Sequence, residues 1–151
     1  MHTFFEDYLE RQAELHTDLE QAVAGLSVNA LNWSPDPDIN SLAVLIVHLT
    51  GSERFWIGDV AAQIPSNRNR AAEFEVEGLD ADDLRSRLTN NRTFTRQTLE
   101  SFSLSDLEQK RHTPNNEREV TVGWALLHAL EHTALHAGHA QLMRQMWEQQ
   151  A

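Results

Sequence analysis

Residues Thr121 to Gln149, TVGWALLHALEHTALHAGHAQLMRQMWEQ, contain no proline and are rich in helix formers. They read as one helix of about 40 Å at 1.5 Å per residue, capped by Thr121. Four of the chain's eight histidines lie in it, His128, His132, His136 and His139. At 3.6 residues per turn His132 stands directly above His136, with His128 and His139 close beside that line. Two neutral imidazoles one turn apart can grip one metal ion. The same spacing also suits a polar bundle seam, so a third ligand from elsewhere in the chain is needed to decide. Trp124, Leu127, Leu135, Leu142 and Met146 adjoin the histidine line, whereas Leu126, Leu130 and Trp147 face elsewhere. Apolar residues on more than one side predict an extra contact, a homodimer.

Working outward, the preceding segments supply three more helices. Thr3 to Ala24 places Phe4, Tyr8, Leu15, Leu19 and Ala22 at helical spacing, and Gly25 is its expected stop. His16 falls at the margin of that stripe and reads as a boundary histidine. Leu31 to Asn40, with Pro35 and Pro37, reads as a turn-rich connection. Ser41 then caps a second helix running to about Gln63, apolar on most sides and therefore central. His48 lies on it among Val44, Leu45, Ser52 and Phe55, where a buried imidazole needs partners for its nitrogens. It is also the one histidine outside the last helix that is placed to be a third ligand. After Pro65, the alternation of Glu73, Glu75 and Glu77 with Phe74 and Val76 suggests an extended strap. Asp80, Asp82 and Asp83 open a third helix to about Phe102. Ser103 to Val120 reads as a capped turn and a polar loop in which His112 is exposed. Four long helices with long connections and no strand set predict an all-α four-helix bundle, one domain over residues 1–151.

Composition narrows the chemistry. A net charge of -11 and a pI near 5.0 exclude a nucleic-acid surface, since phosphate binding needs clustered Lys and Arg. With no cysteine, any metal must be held by His, Asp or Glu. No signal peptide or membrane-spanning run is visible, so the expected setting is the cytoplasm.

The order Trp33, Asn40-Ser41, His48-Leu49, Glu53-Arg54, Trp56, Gly123-Trp124, Glu131-His132 and His136-Ala137-Gly138-His139-Ala140 resembles the DinB-like superfamily. That group includes bacillithiol S-transferases and mycothiol-dependent maleylpyruvate isomerases. The likeness covers nearly the whole chain. It implies a four-helix bundle holding a divalent metal on one histidine of the second helix and two of the last, which here are His48, His132 and His136. Relatives often carry another histidine at the position of Leu135 and glutamine at that of His139, so this chain departs from the pattern at both.

Three imidazoles leave coordination positions open, as in catalytic sites. The expectation is a metal-dependent enzyme on a small molecule, a thiol-dependent transferase or isomerase, or a hydrolase. The metal would be zinc, nickel, iron, manganese or cobalt, and a low-molecular-weight thiol is the implied co-substrate. Ser52, Trp56, Trp124, His128 and His139 are the expected substrate-binding residues. Glu53 and Glu131 are candidate partners for a ligand imidazole, although Glu53 lies about 140° around its helix from His48 and suits an ion pair better. The alternative is a metal-binding or small-ligand-binding stress or detoxification protein without turnover.

Overall fold

The computed structural model describes residues 1–150; Ala151, the last residue of the expected domain, lies outside them. Helix α1 spans Thr3–Val23 and is followed by Gly25 at a positive φ of 72°, which a glycine adopts without steric cost. A short helix, α2, covers Val28–Asn32, earlier than the turn-rich segment was expected to contain any structure; the Ser27 hydroxyl accepts from Ala30 N–H and starts it. Helix α3 spans Leu42–Glu53 and is capped by Ser41 Oγ, 3.2 Å from Val44 N. It is buried on nearly every side, as its composition predicts.

The same helix continues without a break from Arg54 to Ala62 in π-helical form, a feature that hydrophobic spacing alone does not reveal. Gly58 permits it to pack closely, because a Cβ there would land on the Arg54 guanidinium, which is stacked 3.8 Å above the Phe94 ring. The expected strap after Pro65 is partly helical instead: Asn69 caps α4, Arg70–Glu73. Helix α5, Ala81–Leu99, opens with a reciprocal capping box between Asp80 and Asp83. The polar loop before the last helix is also more ordered than its composition suggests. A 3-10 turn, Leu104–Glu108, leads into β1, Lys110–His112, paired antiparallel with β2, Glu119–Thr121. Helix α6, Val122–Gln149, is capped by Thr121, whose hydroxyl lies 3.1 Å from Trp124 N.

The four long helices form the expected all-α bundle. Helix α1 packs on α5 and α6, and α3 packs on the same two, so α1 and α3 are diagonal to each other, as are α5 and α6. The α1-to-α3 and α5-to-α6 connections therefore each cross an end of the bundle, one beside each core cluster, which accounts for their length. The hydrophobic core consists of two clusters, one around Leu19, Leu31, Ile46, Leu49 and Leu88, the other around Phe5, Ile57, Leu99 and Leu126.

All four long helices also contribute to a buried polar layer. His16 Nε2 lies 2.8 Å and the Thr133 hydroxyl 2.8 Å from Glu53 Oε1, and Asn91 Nδ2 donates to Glu53 Oε2 at 2.9 Å. Gln12 Nε2 donates to Thr95 Oγ1 at 3.1 Å. His16 is thus no boundary residue but fully buried, because a carboxylate from α3 meets it there. Burial penalises the Glu53 carboxylate, but the His16 ring and the donors from Asn91 and Thr133 outweigh that cost and hold its pKa below the usual carboxylate value. Among the described residues no helix is long and apolar enough to cross a membrane.

Candidate metal centre

The seam between α3 and α6 brings together the three histidines singled out from the sequence. His48 Nε2 and His136 Nε2 each lie 3.2 Å from His132 Nε2. One ligand nitrogen from each falls within 4.8 Å of the others, forming the one group of three or more such side chains among the described residues that can hold a metal ion. The spacing around His132 fits that role. Zinc–imidazole bonds of about 2.0–2.1 Å, separated by ~100°, put the nitrogens about 3.2 Å apart, the separation of His132 from each of the other two.

The protonation states fit as well. Burial, reinforced by neighbouring His136, His48, His128 and Arg68, pushes the His132 pKa down to about 3. Burial, with His48 and His139, lowers that of His136 to about 4. Both rings are therefore neutral near pH 7, with a lone pair available to a cation.

What lies behind the rings decides how firmly each is aimed. His48 Nδ1 donates to Glu73 Oε1 at 3.1 Å, leaving Nε2 as the acceptor that faces the centre. Glu73 is itself gripped by both prongs of Arg68, Nε at 2.7 Å from Oε2 and Nη2 at 2.8 Å from Oε1. Burial opposes the Glu73 carboxylate, but the bonds to Arg68 and His48 prevail and keep its pKa low. Such carboxylate–histidine pairs orient metal ligands and raise their basicity. Gly51 makes the approach possible: a Cβ there would strike the Glu73 carboxylate. His136 Nδ1 lies 3.3 Å from His139 Nδ1, so a second imidazole stands behind that ring. His132 Nδ1 is buried and has no hydrogen-bond partner among the described residues.

Glu73, Arg68 and Gly51 were not legible as site residues in the sequence. Glu73 is 25 residues from His48 along the chain, and only its place in an alternating Glu run hinted that one face of that segment is turned inward. The two carboxylates considered from the sequence do other things. Glu53 belongs to the polar layer, and Glu131 is exposed, its carboxylate 3.9 Å from His128 Nδ1.

The remaining candidates line α6 and its partner as an aromatic wall beside His132. The Trp124 ring stacks on His128 at 4.8 Å, and Trp56, from the π-helical segment, meets both edge-on at 5.3 and 4.8 Å. His128 in turn lies 6.1 Å from the His132 ring. Arg118, beside β2, caps the wall, 4.1 Å over Trp124. Ser52 is buried one turn after His48. His112 is exposed as expected, paired with Glu119 at 3.3 Å. Gly138 has open space around it and admits no close neighbour toward His136.

Comparison with known proteins gives three findings. A family model described as mycothiol-S-transferase matches residues 5–149. No curated protein matches the sequence. Among solved structures, the crystal structure of a conserved protein from Enterococcus faecalis superposes with a TM-score of 0.74 over 92% of this chain and 94% of its own, at 18% identity. At that identity the likeness establishes the fold.

Proposed function

Given that this chain belongs to the mycothiol-S-transferase family, we propose that it joins a low-molecular-weight thiol, mycothiol, to a small electrophile at a divalent metal held by His48, His132 and His136. The observation that carries this reading is the convergence of three Nε2 atoms from two helices, with no fourth His, Asp or Glu in the group among the described residues. Three neutral ligands leave coordination positions for a substrate. When bound, a divalent cation supplies the positive charge that lowers the pKa of a thiol at such a position.

The protein's own contribution is orientation and environment. Glu73 fixes His48 in the tautomer whose Nε2 lone pair points inward, and Arg68 holds Glu73 there. His139 Nδ1, 3.3 Å behind His136 Nδ1, supports the other ring. The Trp56–Trp124–His128 wall provides aromatic surface and a ring nitrogen next to His132, suited to the bulky, hydroxyl-rich body of a sugar-bearing thiol. Arg118 offers further donors at its outer end. We assign Ser52, buried one turn after His48, to the substrate site from the α3 side. A reducing cytoplasm, where such thiols are kept, is the setting we assign. Leu127 and Leu135, 61% and 57% exposed on α6, support a homodimer through that face.

The test is metal analysis of the purified protein followed by thiol consumption in the presence of an alkyl halide, before and after chelation. The expected result is one metal per chain and turnover that is lost with the metal and restored by it. Bound metal without consumption of any thiol would instead support a binding protein that does not turn over; full activity after complete chelation would overturn the metal reading.

A further inference from the structure

Along α6 the row of side chains beside α3 changes character. From Trp124 to His128 it is aromatic, from His132 to His139 it is lined by imidazoles, and beyond that it becomes a cleft of about 320 Å³ walled by Leu45, Leu142, Met143, Met146 and Ile39. His136 and His139 border this cleft, so one ligand of the candidate centre is also part of its wall. The size is that of a small-molecule site. Ile39 and Leu142 are 46% and 54% exposed, a cost in water that filling the cleft would recover.

Ile39 is held in place by its own turn. Its N–H donates to Asp36 O at 3.0 Å, and the Ser34 hydroxyl reaches its carbonyl at 2.6 Å. The two methionine thioethers opposite are flexible and polarizable, and they adapt to apolar groups of differing shape. Asp38 on the border adds negative charge that opposes an anionic ligand.

A transfer between two substrates requires each to reach one point from its own side, and the two sides of the histidine cluster differ in polarity: Trp124, His128 and Arg118 on one, the apolar cleft on the other. We infer that the Ile39–Leu45–Leu142–Met143–Met146 cleft holds the hydrocarbon portion of an uncharged electrophile, its reactive carbon toward His136, while the aromatic end is left to the thiol. This rests on the transferase reading above. In the transfer a carbon–sulfur bond forms as the carbon–halogen bond of an alkyl halide breaks; halide departs with the electron pair, and the thiol proton passes to solvent. The cleft contributes binding and direction, and its residues set which electrophiles are used.

The inference is tested on the zinc-loaded full chain in two ways. With methionine methyls labelled with carbon-13, the unreactive hydrocarbon butylbenzene should shift the Met143 and Met146 signals, leave Met1 in place, and produce no shift in Ile39→Asp. With mycothiol and 1-bromoalkanes of two, four and six carbons, kcat/KM should rise by up to about fourfold per methylene, mainly through KM, and the rise across the whole series should shrink to under about twofold in Ile39→Asp. Because Ile39 is half exposed in a surface turn, that variant should fold. Absence of methyl shifts overturns the inference, as do shifts that follow protein concentration in place of added hydrocarbon, which would assign the cleft to a second copy. Failure of every electrophile to react, with the methyl shifts intact, would overturn the transferase reading and leave the cleft as a hydrocarbon site.

Discussion

At the residue scale the candidate centre depends on how each imidazole is aimed, and the three are supported unequally. His48 has a carboxylate behind it, His136 has another imidazole, and His132 has neither. Yet His132 is the nitrogen the other two share at 3.2 Å. His132→Ala should therefore remove the metal while the helical circular-dichroism signal stays, and full occupancy in that variant would refute the ligand assignment. Glu73→Gln should keep the metal but weaken it about 10- to 100-fold in a chelator competition, the usual size of losing an outer partner of a metal-bound histidine. Gly51→Ala should reproduce that loss without touching a charge, since its Cβ displaces the same carboxylate. An affinity equal to that of the native protein in both variants would remove Glu73 from the site.

At the element scale α6 carries both the chemistry and a flaw. Gly138 interrupts an otherwise good helix and has nothing against it, so Gly138→Ala should stabilise the monomer by about 0.5–1 kcal/mol in denaturant unfolding. A loss of stability would mean that a neighbour occupies that space. The π-helical run from Arg54 to Ala62 places Trp56 against Trp124 and His128, a register that hydrophobic periodicity does not encode. Caps, by contrast, were legible: Ser41 and Thr121 each start a helix where a short polar side chain precedes an apolar run, and the acidic Asp80, Asp82 and Asp83 mark the start of α5. The β1–β2 hairpin was not, because three-residue strands with charged residues present too little alternation to separate from a loop.

For the whole molecule, the polar layer ties all four long helices to one carboxylate. Removing it strands a buried histidine, so Glu53→Ala should cost about 3–5 kcal/mol and lower Tm accordingly; a change under about 1 kcal/mol would show the layer to be incidental. The metal-free protein should also be acid-sensitive. His132 and His136 titrate near 3 and 4 when folded but near 6.5 when unfolded, so below pH 6.5 the unfolded chain takes up protons that the folded one refuses. Glu53 and Glu73, with lowered pKa values, add stability above the ordinary carboxylate range and lose it below. Both effects have the same sign: in chelator, Tm should fall from pH 7 to pH 5 by about 5 °C or more, beginning with the histidines. A Tm flat over that interval would contradict the lowered histidine values.

The amino-acid sequence by itself determined the long helices and the bundle, because helical period and capping are local properties that a chain displays in order; His48 joined the other two as a ligand set through the resemblance of the motif order to the DinB-like superfamily. His132 and His136 are neighbours through the helical period alone. That His48 would meet them, that Glu73 would stand behind it through the space Gly51 leaves, and that Glu53 would pair with His16 were decided by the tertiary structure. Each joins positions far apart in the chain, and such meetings follow from which helix faces pack together, a property of the folded core that spacing along the chain does not express.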